Sequence, residues 1–368
     1  MHRIVSTIAL AALLFAFGAQ AAQSKHKNRP AEPSAPAQAS STMQPAAPSP
    51  EEKARVDALL QYQRDLVTVN ALRSDAVHLL GAALLARPLP DQKPDFTFHR
   101  LAERAAAATA AGPGVTWMRL ADCDPQADDC PNADMLKKLQ EQAGDNAAVW
   151  MLVMDQAAQK NDATGEREAL AKSAAAKDYD DYFGIGLQGI ANVVGTLPPL
   201  PATMQGTQPG EPKTAVGVEL LIAFGVANQH PRPSLKPLLD LCGADQASRD
   251  GGLKSDCLKV AHVLEWGSSP IGRAVGLHIH GELDPSAKNS TDKDARDLAW
   301  QMQNYGVLGM ESFTDDARGG PLLDAARSGG TELSLVLSTL RANGVSTEAP
   351  ADWQPESTQP APTTSSGG

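Results

Sequence analysis

The sequence predicts an all-α fold of about a dozen helices in antiparallel pairs. Three observations predict it. Apolar residues recur at i, i+3 and i+4, and no stretch shows a convincing strand alternation. Alanine is abundant while aromatic residues make up 4% of the 368 positions, a composition that favours helix and lets helices approach closely. Capping residues, prolines at first helical positions and terminal glycines punctuate the apolar stripes.

Residues 1–21 read as an export signal. Arg3 supplies the positive start, Ile8 to Phe17 is apolar or small, and Ala19-Gln20-Ala21 is a small-x-small cleavage site. The apolar run is too short to span a bilayer comfortably, and no later stretch is long and apolar enough to do so. The expected location is the periplasm or the extracellular medium. Residues 22–48 are rich in Ala, Pro, Ser and Gln and read as a disordered linker. Lys25, Lys27 and Arg29 form a small basic cluster there, read as solubilising.

The helical domain is expected over residues 49–344. Ser49-Pro-Glu-Glu starts it, with Val56, Leu59, Leu60, Leu66 and Val67 as the stripe. Ser74-Asp75 caps a second helix carrying Val77, Leu79, Leu80, Ala83 and Leu84, ended by Arg87-Pro-Leu-Pro-Asp. A third helix is expected from about Phe96 to Ala111, ending at Gly112-Pro113-Gly114.

Four cysteines follow as two local pairs, Cys123 with Cys130 and Cys242 with Cys257. In an exported chain these predict disulfides, contributing about 2.5 and 3 kcal/mol for loops of these lengths. A zinc site is not expected, because no C-x-x-C pair and no suitably spaced histidine accompanies them. Asp122, Asp124, Asp128 and Asp129 crowd the first loop but lack the glycine and glutamate of a calcium loop.

From Gly144 to Gly184 a helix, a polar turn and a second helix form a hairpin. Asp145 or Asn146 caps the first helix, whose stripe is Val149, Trp150, Val153, Met154 and Ala157. Lys160-Asn161-Asp162 makes the turn. The second helix, about Ala163 to Ala176, turns Leu170 and Ala174 inward and Glu166, Arg167, Glu168 and Lys172 outward. With Ala157, Ala169 and Ala176 at points of close helix contact, this hairpin resembles the tetratricopeptide and related helix-pair repeats. Val153, Gln156 and Lys160 replace the repeat's bulky residues, and Asp181 its closing proline. The resemblance covers about one repeat and implies an irregular solenoid of stacked helix pairs. The chain as a whole also looks like bacterial exported envelope proteins of this type.

Gly184-Ile-Gly186-Leu-Gln-Gly189 matches G-x-G-x-x-G. A dinucleotide site would need a preceding strand and a later ribose-binding acid; neither is present, so the glycines read as a tightly packed helix face. The proline-rich loop 198–212 divides possible subdomains 49–197 and 213–344 and is long enough to be functional. Beyond it, helices are expected at Val216–Gln229, Leu235–Leu241, around Cys257, Val260, Ala261 and Leu264, and after Ser268-Ser269-Pro270 with Ile271, Ala274, Val275, His278 and Ile279 inward. Ala295–Tyr305, Pro321–Ser328 and Glu332–Asn343 follow, with Gly344 as a stop and residues 345–368 as a disordered tail.

The net charge is −11, or −12 once Arg3 leaves with the signal. With no basic patch interleaved with aromatics, nucleic acid is not an expected partner. No catalytic motif, cofactor site or metal set is assigned. The histidine-rich region holds His262, His278, His280 and Glu282, where His278 reads as a core histidine and His262, His278 and Glu282 could converge across a helix pair. The expected function is a scaffold in the cell envelope with a protein or peptide partner. The alternative is an envelope hydrolase, using acids such as Asp178, Asp180, Asp181 or Glu265, or a metal-binding protein.

Overall fold

The computed structural model describes residues 49–120, 134–201, 206 and 211–355. The expected signal, the linker, Cys123, Cys130 and the acidic loop between them lie outside the described residues. So does most of the loop 202–210.

The described residues form sixteen α-helices, one 3-10 turn and no strand; the fold is all-α. Helix α1 (Pro50–Asn70) starts as expected, with the Ser49 hydroxyl accepting from the Glu52 amide. Asp75 caps α2 (Ala76–Ala86) through the His78 amide. The expected third helix is shorter. A 3-10 turn occupies Pro94–Phe96, Thr97 caps α3 (Phe98–Ala107), and Ala110 adopts a left-handed φ of 65° before the next start. Gly112-Pro113-Gly114 does not end that helix but opens another, α4 (Pro113–Arg119), with proline in the first turn. A short polar helix, α5 (Met135–Gln142), has no counterpart in the sequence reading.

The hairpin is α6 (Ala147–Gln159), capped by Asn146, and α7 (Ala163–Ala174), capped by Asp162. Met151 is fully buried where Trp150 and Val153 are only half-buried, so the stripe is rotated from the expected one. Then come α8 (Phe183–Val194), α9 (Ala215–Ala227), α10 (Lys236–Leu241), the single turn α11 (Ala244–Ala247) and α12 (Gly251–Glu265). Cys242 and Cys257 form a disulfide between the end of α10 and α12, with Cα atoms 5.6 Å apart.

In α13 (Pro270–Leu283) the buried face is Gly272, Gly276, Leu277, Ile279 and Leu283, while Ile271, Ala274 and His278 are exposed. The expected stripe was therefore wrong by part of a turn. The reason is a close crossing, since a Cβ on Gly276 would meet the Ala261 carbonyl and the Glu265 amide of α12. Small residues, not large ones, set this interface. Helix α14 (Lys288–Ser312) runs well beyond the expected ends. Asp315 caps α15 (Asp316–Ser328), so Pro321 lies inside the helix and not at its start. Helix α16 (Glu332–Ala342) carries a Thr331–Ser334 capping box and stops at Gly344 with φ 69°.

Two large cores hold these helices. One joins α1, α2, α3, α8, α9 and α15 around Leu66, Leu85, Leu101 and Ile190. The other joins α5, α6, α7, α10 and α12 around Leu139, Met151, Leu170 and Leu264. Each takes residues from both sides of loop 198–212, so the cores do not follow the expected subdomain boundary. Helix α4 stands between them, with Met118 in the first core and Trp117 in the second. Pairing is not confined to chain neighbours, because α8 packs on α2 and α15. The glycines of the G-x-G-x-x-G stretch make this possible: a Cβ on Gly81 would collide with the Gly189 carbonyl, and one on Gly184 with the Gly330 carbonyl.

The stretch beginning at Val345 is not a free tail. Residues 345–355 lie along α14, and only residues from 356 onward fall outside the described chain.

Candidate functional site

The densest polar cluster sits where the two cores meet. The segment Asp178–Tyr182 runs from the hairpin to α8, held by Asn146, whose side chain donates to the Asp180 carbonyl (2.7 Å) and accepts from the Asp180 amide (3.0 Å). It ends at Tyr182 in the left-handed region, φ 58°, an uncommon conformation for a residue with a Cβ. Two Asx turns support it. The Tyr182 amide donates to Asp180 Oδ1 (2.8 Å) and the Phe183 amide to Asp181 Oδ1 (3.2 Å), which also serves the open N-terminus of α8.

Asp181 has a side chain only 1% exposed. Its amide donates to Ser268 Oγ (3.2 Å), and its carbonyl accepts from His230 Nε2 at 2.5 Å. Its second carboxylate oxygen lies 3.7 Å from Arg232, which also pairs with Glu332 at 2.9 Å. The Arg232 guanidinium rests 4.9 Å from the Phe183 ring centre, an added electrostatic contact. His230 stacks on Trp117, and the Trp117 indole N–H donates to the Pro231 carbonyl (3.0 Å).

Two carboxylates thus share one guanidinium, with Asp181 buried and Arg232 and Glu332 partly exposed. Burial raises the Asp181 carboxyl to about 6, against the partial relief given by Arg232. Burial lowers His230 to about 3, so the imidazole is neutral near pH 7. Since Nε2 carries the proton given to Asp181, Nδ1 is an acceptor, and it has no hydrogen-bond partner. Beside His230 lies a cavity of about 10 Å³ lined by Leu84, Met118, Phe183 and Val226, room for about one water.

A second polar group lies on α12 and α13. Glu265 hydrogen-bonds His280 Nδ1 at 2.6 Å, and His262 Nδ1 lies 3.6 Å from its other oxygen, beyond hydrogen-bond reach. His262 and His280 therefore converge, on Glu265 and not on Glu282, while His278 turns to solvent. Among the described residues, no group of three histidine, cysteine or acidic side chains is placed to hold a metal ion.

Of the four acids named from the sequence, Asp181 enters the core cluster, Glu265 joins the histidines, and Asp178 and Asp180 stay at the rim of the segment. Arg232, His230 and Glu332 were not singled out. Arg232 carried one signal, its place between Pro231 and Pro233; Glu332 carried none. An open hollow of about 420 Å³ is lined by Tyr62, Asp65, Thr68, Val69, Leu197 and Pro198. Comparison with known proteins found no matching family model, curated protein or solved structure.

Proposed function

We propose that this chain is an exported helical scaffold that binds a protein or peptide in the cell envelope. The observation that carries the reading is Trp266. It caps α12 at the turn into α13 with 78% of its surface exposed, and Ile271 is exposed in the next turn. Exposed tryptophan is the residue type most often found at the energetic centre of protein interfaces. Leu72, 80% exposed at the far end of α1, is a second such side chain, one residue past Ala71, which caps the helix.

Further features fit this reading. Asp181 is buried, and the cavity beside its partner His230, about 10 Å³, is too small for a substrate. The helices pair and leave side faces open. No helix among the described residues is long and apolar enough to cross a membrane. The Cys242–Cys257 disulfide fits an oxidising compartment, as an exported chain requires.

The test is the aromatic photo-crosslinker benzoylphenylalanine at position 266 of the full chain, which keeps a large ring in place of the indole, in cells, with the same residue at exposed position 278 as a control. One dominant adduct at 266, lost in a competing excess of unlabelled protein but unaffected by a Trp266→Ala competitor, supports the scaffold. Equal, diffuse labelling at 266 and 278 would overturn it.

A further inference from the structure

Residues 345–353 lie along α14 as a bent strap, with bends at Thr347–Glu348 and a turn at Ala351–Asp352, and what holds them is mainly their backbone. Four consecutive-turn side chains of one helix do this. Arg296 Nη1 donates to the Ala351 carbonyl (3.3 Å), and Asp297 Oδ1 accepts from the Ala349 amide (3.0 Å). One turn on, Trp300 Nε1 donates to the Ser346 carbonyl (2.9 Å) and Gln301 Nε2 to the Thr347 carbonyl (2.7 Å). Contacts to carbonyls and amides do not depend on side-chain identity, so they suit any segment that can follow the same path.

Side-chain selection is confined to a few places. Val345, Thr347 and Ala349 are at least partly buried while Ser346, Glu348 and Pro350 are exposed, and the Ser346 hydroxyl bends the chain by accepting from the Glu348 amide. Only Ala349 is buried, which demands a small residue there. Trp353 meets Trp300 edge-on, ring centres 5.4 Å apart.

The fit is incomplete. Gln301 is 5% exposed, yet its Oε1 has no hydrogen-bond partner, and neither does Arg296 Nε. A buried amide that donates but does not accept forfeits part of what the site could supply. The segment is also tethered by Gly344 in a left-handed turn, so it occupies the site through high effective concentration and not through affinity alone.

From this we infer that the outer face of α14, from Arg296 to Gln301, is a peptide-binding site held shut by the chain's own strap. It takes from a partner a segment that follows the same bent path, with a small residue at the Ala349 position and an aromatic ring at the Trp353 position. The inference rests on the scaffold reading and names the ligand class of one of its surfaces.

The probe is a fluorescein-labelled synthetic peptide with the sequence of Val345–Pro355, titrated by anisotropy into the full chain. In wild type the tethered strap competes. Trp353→Ala weakens the strap and is expected to bind the peptide at least tenfold more tightly than wild type. A peptide carrying Ala349→Pro has no amide to give Asp297 and is expected to bind at least tenfold more weakly; this control does not depend on any variant folding. Adding Trp300→Ala to Trp353→Ala abolishes binding. Absence of saturable binding to a Trp353→Ala protein that keeps its cooperative melt overturns the site, as does equal binding of both peptides. Crosslinks at position 266 are read separately. If they persist while the peptide fails, the α14 site falls and the scaffold reading stands.

Discussion

The cluster around Asp181 and the strap site on α14 use the same chemical parts. Each has an arginine, an aspartate whose carboxylate receives a backbone amide, and aromatic rings. At Asp181 the carboxylate lies buried between two cores behind a partly exposed Arg232, and the leftover acceptors, Asp181 Oδ2 and His230 Nδ1, face no solvent. On α14 they stand at the surface and read a strand of chain laid across them. Burial decides the outcome: inside, charge is a structural liability that must be matched; outside, it becomes recognition that can be exchanged.

Removal of the arginines sharpens the contrast most. Arg232→Ala leaves Asp181 and Glu332 without their shared cation, and loss of one partner of a buried pair costs about 3–5 kcal/mol. Urea unfolding at pH 7.5 should register that loss, and a smaller one at pH 5, where Asp181 can take a proton. Arg296→Ala should cost below about 1 kcal/mol, as exposed polar contacts do. Equal losses at the two arginines would erase the distinction.

The two aspartates should respond to pH with opposite sign. Asp181 is raised by burial to about 6 from 3.8. Its contribution to stability is fully present below the unfolded value and is lost as pH rises through about 6, a difference of about 3 kcal/mol at 1.36 kcal/mol per unit. Asp297 is pushed up by burial, but the Lys293 contact and the Ala349 amide outweigh this and hold it below the ordinary carboxylate value. Its contribution is present above the unfolded value and lost as pH falls through the folded one. Melting temperature against pH should therefore lose its decline between about pH 4 and 6 in Asp181→Asn, and lose part of its acid limb in Asp297→Asn. A shared sign would break the comparison.

A third change reaches the junction from a distance. Gly81→Ala drives a Cβ into the Gly189 carbonyl, and overpacking of this kind costs about 1–3 kcal/mol. Because α8 carries the junction at its first turn, hydrogen exchange should rise at residues 181–184 while protection along 345–351 stays unchanged. Gly189→Ala, whose Cβ would come within 3.0 Å of the Gly81 amide nitrogen, should be milder.

The fold class was legible because helix stripes and caps are local. Ser49, Asp75, Asn146 and Ser269 cap where the sequence places them. The glycine-rich stretch was legible too, since the missing strand left close packing as its physical use. What escaped was set by partners remote in the chain. The inward face of α13 depends on where α12 lies, and Gly272 and Gly276 carry no apolar signal of their own. Helix α5 is mostly polar and rests on its neighbours. Asp181 was named only as one acid among four, because nothing near it in sequence announces Arg232 or Glu332. The strap read as a tail because its hold is through backbone atoms, which composition does not reveal.

Arg232 and Glu332 are one hundred residues apart, and Asp181 meets Ser268 across eighty-seven. The two large cores likewise gather helices from both ends of the chain. Contacts of such separation form late, since the intervening loops must close first. A growing chain that has not yet released α16 from the ribosome therefore has no way to close this junction. The Arg232–Glu332 pair is thus among the last of these contacts available to the chain as it is made. It also means that early truncations are poor folding units whatever their helical content.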